Sequence, residues 1–232
     1  MKALLFLLLG LTFTVAHAAE PSALQFRVLS WEGAVQDLKF QNGKDEVAVF
    51  AQEYSLSPTY SKTDVAKPLV LYRTRIVEEK KVRETIATVP PPPAGVTRAL
   101  LLLAKLPAAN EAGDTITGRW LEDVPEAGTV RFHNLSSHQL AVNVADLQWI
   151  QATGETHVLP ITNGVLRMQV KVASEIDGAW KLVGNISKPV RSYLHVIVLM
   201  REGRPRIDFP TDPIELLAFY DEPPPPPKAP AL

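Results

Sequence analysis

Several stretches of this chain echo one another at a nearly constant distance. Leu38-Lys39-Phe40-Gln41-Asn42 resembles Val130-Arg131-Phe132-His133-Asn134 at an offset of 92. Glu46-Val47-Ala48-Val49 resembles Gln139-Leu140-Ala141-Val142 at an offset of 93, and Val96 to Leu103 lines up with Pro189 to Val196 at the same spacing. A period this long is the signature of a duplicated domain-sized unit. Each copy would be about 95 residues, the size of a seven-strand sandwich. The join is expected near Asp123-Val124-Pro125-Glu126-Ala127-Gly128. The same pattern also admits one larger sandwich, whose regular strand spacing would imitate a repeat.

The units are read as all-β. Phe26 to Leu29, Val47 to Phe50, Leu69 to Tyr72, Thr129 to Phe132 and Leu140 to Val144 are short runs rich in β-branched and aromatic residues. Val165 to Val172 alternates apolar with polar residues, as a half-buried antiparallel strand does. Between the runs stand Asn42-Gly43, Asn163-Gly164, Asp177-Gly178 and several prolines, which favour turns. Glu78-Glu79-Lys80-Lys81 suits a charged hairpin tip, and Thr211 to Tyr220 is the one place left for a helical turn. The expected fold is two tandem immunoglobulin-like antiparallel β-sandwiches. Residues 19–125 would form the first, 126–220 the second, and 221–232 a Pro-rich disordered tail.

Residues 1–18 read as a signal peptide. Lys2 supplies the positive start, Ala3 to Val15 the apolar run, and Ala16-His17-Ala18 the small-x-small cleavage pattern. The run is shorter than the about 20 residues that span a bilayer. The mature chain, from Ala19, is expected in the periplasm or cell exterior. It would be 214 residues long, with 23 basic against 25 acidic residues once Lys2 is removed. That balance offers no footprint for nucleic acid. The absence of cysteine excludes disulfides, thiol chemistry, Cys-bound metals and a lipid anchor on a cysteine at the cleavage site. Ala99 to Ala104 and Val196 to Met200 are stopped by Lys105 and Arg201, so a soluble product without membrane insertion is expected.

Motifs that would carry chemistry are sparse. His133 and His138 flank Asn134-Leu135-Ser136-Ser137 and are the weak candidates for a metal site, with Asp146 or Glu155 as a third ligand. His195, inside an apolar strand, reads as a hydrogen-bonded core or edge residue. Ser136 and Ser137 lack a G-x-S-x-G elbow. The adjacent carboxylates Glu122/Asp123 and Asp221/Glu222 would point to opposite faces of a strand. No phosphate loop, dinucleotide fingerprint or HExxH appears. No cofactor and no catalytic residue are implied.

Trp31, Trp120, Trp149 and Trp180, with Tyr54, Tyr60, Tyr72, Tyr193 and Tyr220, are candidates for a stacking platform. Trp120 and Trp149 fall in strand-like runs and are expected in the core. Trp180, beside the Asp177-Gly178 turn, is the expected exposed ring and the one candidate ligand-binding residue. Pro90 to Pro93 reads as a surface connection, and Pro223 to Pro227 as a frayed tail.

Ala127 to Ser136, with its Arg131-Phe132-His133-Asn134-Leu135-Ser136 core and a following Ala-Val strand, resembles an "R-F-x-N-L-S" element. That element occurs in uncharacterised exported bacterial proteins of the Verrucomicrobia type. Pro68 to Tyr72 and the lead into Leu100 to Leu103 share the resemblance. It implies two immunoglobulin-like sandwiches and no activity. A looser likeness to transthyretin-like and pilus-chaperone sandwiches is one of all-β pattern alone. The leading expectation is a non-catalytic structural or interaction protein with an unknown protein or glycan partner. The alternatives are a carbohydrate-binding module using exposed aromatics and a metal-dependent enzyme at the histidines.

Overall fold

The β-branched runs form strands. The computed structural model describes residues 23–31, 33–106, 115–161, 167–203 and 213–221. The expected signal peptide, the expected turn at Asn163-Gly164 and the expected Pro-rich tail fall outside those residues. The first unit comprises β1 (Leu24–Ser30), β2 (Val35–Asn42), β3 (Asp45–Ala51), β4 (Tyr60–Lys62), β5 (Leu69–Val77), β6 (Lys80–Val89), β7 (Arg98–Leu106) and β8 (Thr115–Glu122). The second comprises β9 (Thr129–Asn134), β10 (Leu140–Val144), β11 (Leu147–Gln151), β12 (Thr156–Pro160), β13 (Arg167–Ile176), β14 (Ala179–Pro189), β15 (His195–Glu202) and β16 (Ile214–Asp221).

Unit 1 packs a sheet ordered β4-β1-β7-β8 against one ordered β3-β2-β5-β6. Unit 2 packs β12-β9-β15-β16 against β11-β10-β13-β14, the same order with every strand number raised by eight. In both, the first and seventh strands pair parallel and the other neighbours antiparallel. The fold is therefore all-β, in two tandem sandwiches, each with one strand more than the seven expected.

The duplication is present, but its register differs from the one read in the sequence. Each outer sheet carries a β-bulge, between Leu71 and Tyr72 in unit 1 and between Val172 and Ala173 in unit 2. Aligning the bulges makes Tyr72 the counterpart of Ala173. Through the cross-strand pairs, Lys39 then matches Ala141 and Ala48 matches Ile150, an offset of 102. Phe40 lies in β2 and Phe132 in β9, the first strand of its unit, so the two are not equivalent although both are buried. Short strands share an apolar rhythm, and the offset near 93 matched Leu38 to Asn42 with the wrong strand.

Three apolar cores stack the four sheets. Phe26, Phe40, Leu71 and Leu101 belong to the core of unit 1, and Phe132, Val142, Val172 and Val198 to that of unit 2. The third joins the units: Leu29, Leu100, Leu102 and Leu121 meet Ile197, Leu199 and Phe219. Strands β1, β7 and β15 are thus buried on both faces, which explains their unbroken apolar runs. Strand β16 occupies the place expected to hold a helical turn. Leu216 faces the core of unit 2 and Phe219 the joint, and an apolar run buried on both sides carries no clear period.

Charged groups finish the joint at both ends. Arg27 of β1 binds Asp123, just past β8, and meets Asp221 of β16 at 2.8 Å. Asp123 Oδ1 lies 3.3 Å from His195 Nε2, and His195 Nδ1 lies 2.9 Å from Thr129 Oγ1. Thr129 donates its hydroxyl proton to the Glu126 carbonyl at 2.7 Å. With that proton spent, Nδ1 donates to Thr129 Oγ1 and Nε2 is the atom that faces Asp123. At the other end buried Arg201 binds Glu215 through Nε and Nη2 at 2.9 and 2.7 Å. It also donates to the Trp31 carbonyl and stacks 4.4 Å over the Trp31 ring.

Candidate ligand-binding face

The outer face of the β11-β10-β13-β14 sheet carries a row of apolar side chains across all four strands. Ile150 is registered with Ala141, Ala141 with Ala173, and Ala173 with Leu182. Ile150 and Leu182 are 49% and 63% exposed, and Trp180, two residues before Leu182 on the same face, is 48% exposed. The two alanines make a low floor between Ile150 on one side and Leu182 and Trp180 on the other. Neighbouring strands are about 4.8 Å apart, so the walls stand three spacings, or about 14 Å, from each other. Gln148, Asn143, Lys171 and Asn185 form the adjacent polar row.

On the counterpart face of unit 1, which also exposes Phe50, Val70 and Ile76, the matching row is bonded to itself. At the positions of Ala141, Ala173, Leu182 and Trp180 it has Lys39, Tyr72, Thr85 and Arg83. Lys39 Nζ binds Glu46 at 2.5 Å, Tyr72 donates its hydroxyl to Glu46 at 2.8 Å, and Arg83 lies 4.6 Å over the Tyr72 ring. The bonds from Lys39 and Tyr72 lower the pKa of the Glu46 carboxyl, and burial with the bond to Glu46 raises that of the Tyr72 hydroxyl. Its charges are matched within the chain.

No protein-family model matches this chain, and no curated protein does.

The other candidates occupy different places. His133 is buried on β9, its Nδ1 2.9 Å from Thr156 Oγ1 and its Nε2 without a hydrogen-bond partner, while His138 is exposed. Burial, aided by the Arg131 charge, pushes His133 down to about 4. Among the described residues no group of three or more His, Asp or Glu is placed to hold a metal ion. Ser136 is buried and donates to Asn134 Oδ1 at 2.7 Å. Asn134 in turn donates to the carbonyls of His138 and Gln151, at 2.8 and 3.0 Å. The Asn134-Leu135-Ser136 run thus ties the end of β9 to the loop after it. Glu122 is exposed and Asp123 buried, the split expected of adjacent strand residues, and Glu222 lies outside the described residues.

Of the aromatic candidates, Trp120 packs edge-on to Phe26 and donates to the Pro90 carbonyl at 2.6 Å, holding the Pro90 to Pro93 connection. Trp149 meets Phe132 edge-on and stacks on His157 at 4.5 Å. Tyr60 packs on Phe26 and Phe40. Tyr54, Tyr193 and Tyr220 are exposed, as is Trp180. Ile150, Leu182 and the two alanines were missed by sequence reasoning. The sequence signal lay in a comparison of the copies at an offset of 102, where Lys39 is replaced by alanine.

Proposed function

We propose that this chain is an exported, soluble, non-catalytic interaction or structural protein of the bacterial periplasm or cell exterior, and that the trough of unit 2 is its contact surface. One observation carries the reading: the row that unit 1 fills with Lys39, Tyr72 and Arg83, bonded to Glu46 or stacked on one another, is in unit 2 an apolar row whose Ile150, Leu182 and neighbouring Trp180 stand in solvent. Exposed apolar side chains clustered within a polar rim mark interaction sites. The Thr129, His195 and Asp123 contacts support the non-catalytic reading. All three residues are buried, the hydroxyl proton is committed to Glu126, and Asp123 sits on Nε2 rather than Nδ1. The export reading rests on residues 1–18.

The test uses a photo-crosslinking amino acid placed at Leu182 or, in a second variant, at Thr85, in cells expressing the full chain. Adducts at 182 and none at 85 are expected. Equal labelling at both, or none at 182, overturns the reading. N-terminal sequencing of the exported protein should begin at Ala19.

The exposed Trp180 ring, with Glu175 opposite it on β13, favours a second reading, a carbohydrate-binding module. Binding to an oligosaccharide array that disappears with Trp180→Ala is its expected result. An array silent for the unaltered protein removes it.

A further inference from the structure

The bulge register exposes a second difference between the copies, at one open end of each sandwich. In unit 1 the mouth lies between the ends of β2 and β4 and the start of β5, with a cleft of about 580 Å³. Its polar rim is bonded to itself. Lys62, the last residue of β4, is buried, and its ammonium donates to the carbonyls of Asp64 and, at 2.8 Å, Lys67. Asn42 Oδ1 accepts from the amide and hydroxyl of Thr63 at 3.0 Å each, and Lys67 pairs with Asp64 at 2.7 Å.

In unit 2 the inward-facing residue at the end of β12 is Leu159, which has no ammonium to offer. The corresponding mouth is a cleft of about 370 Å³ bounded by β10, β12 and β13, within the size range of small-molecule sites. Val130, Leu159, Met168 and Val190 line it, and its charged lining residues are Arg167 and Lys171. No acidic side chain lines it among the described residues. Arg167 Nε donates to Ser187 Oγ at 2.9 Å, which orients the guanidinium fork. Lys171, four residues along the same side of β13, stands about 13 Å away and adds positive potential without sharing the same ligand group.

We propose that this cleft binds a free single-chain amphipathic anion. The apolar chain lies between Val130, Leu159, Met168 and Val190, and a carboxylate takes the paired donors of Arg167. The inference is independent of the trough, because it uses neither Trp180 nor Leu182.

The test is calorimetric titration of the full chain with decanoate below its micelle concentration, with decanol and decyltrimethylammonium as neutral and cationic controls. Decanoate is expected to bind at least about tenfold tighter than the ammonium, the discrimination that one charge-assisted contact supplies. Arg167→Gln should weaken decanoate about tenfold and leave decanol unchanged, with a smaller loss for Lys171→Gln. Leu159→Trp should abolish binding of both, and Trp180→Ala should change neither. Absence of decanoate binding overturns the inference. So does equal affinity for the ammonium, undiminished binding in Leu159→Trp with a native near-UV circular dichroism spectrum, or binding confined to phosphatidylglycerol vesicles.

Discussion

The two sandwiches share their strand order, their parallel first and seventh strands and a β-bulge between their fifth and sixth strands, yet one matching row of their outer faces has opposite chemistry. In unit 1 the bulge at Ile86 sets Thr85 opposite Tyr72, which Glu46 and Arg83 hold. In unit 2 the bulge at Val183 sets Leu182 opposite Ala173, on the floor of a trough whose other wall is Ile150. The difference shows where duplicated sandwiches are free to diverge. Strands β1, β7 and β15 have an apolar core on each side, so a change there is felt in two cores. The outer sheets have one face in water, and it is there that Lys39 and Ala141 part company.

That account makes the joint the constraint, and removing Asp123 is the strongest way to break it. Asp123→Ala leaves the buried Arg27 and His195 without the carboxylate they share. Loss of one partner from a buried charge pair costs about 3–5 kcal/mol, so urea unfolding should show a fall of that order. The units should also cease to unfold together. A loss below about 1 kcal/mol would mean that the apolar centre around Leu29 and Leu199 holds the units alone. Burial pushes the Asp123 carboxyl up, but the bonds from His195 and Arg27 outweigh it and hold the group at about 2, against an ordinary 3.8. Its contribution is therefore present above pH 3.8 and fades as pH falls toward 2.

Acid should also reveal which copy carries the sensitivity. Every histidine among the described residues belongs to unit 2. His133 is held neutral, its folded pKa of about 4 lying below the ordinary 6.5 because burial disfavours the charged ring. The sign follows: between pH 6.5 and 4 the unfolded chain binds the extra proton, so stability falls as pH drops through that window. The separation corresponds to about 3 kcal/mol at its lower end. Unfolding free energies measured from pH 7 to 4 should show that decline, and His133→Gln should flatten it. A decline unchanged in His133→Gln would place the proton elsewhere.

Much of the fold was legible in the sequence, and the losses have physical causes. The alternation from Val165 to Val172 marked the strand that became β13, and Trp180 stood out because it follows a turn. Edge strands such as Tyr60–Lys62 and Thr156–Pro160 carry too few apolar residues to announce themselves. The joint was hidden because a strand buried on both faces reads only as an apolar run, and Val196 to Met200, read as an apolar strand too short for a membrane, gave no sign of a second covered face. The trough was hidden because its floor is alanine, which is conspicuous only beside Lys39 and Tyr72 in the correct register.

That register can be tested at a place where nothing but backbone conformation is involved. The turn after β2 opens with Gly43 at φ +61°, and the turn after β10 opens with Ala145 at φ +52°, again 102 residues on. A Cβ built on Gly43 meets nothing within 4 Å, so a substitution there costs only the left-handed conformation that L-residues avoid. Gly43→Ala should destabilise the protein by about 1 kcal/mol, and Ala145→Gly should stabilise it by a similar amount. The double exchange should then return the protein close to its starting stability, because the sites lie in different units and share no contact. Thermal unfolding of the three variants reads this directly. Effects of the same sign at both positions would show that the turns are not counterparts and that the register of 102 does not extend to them.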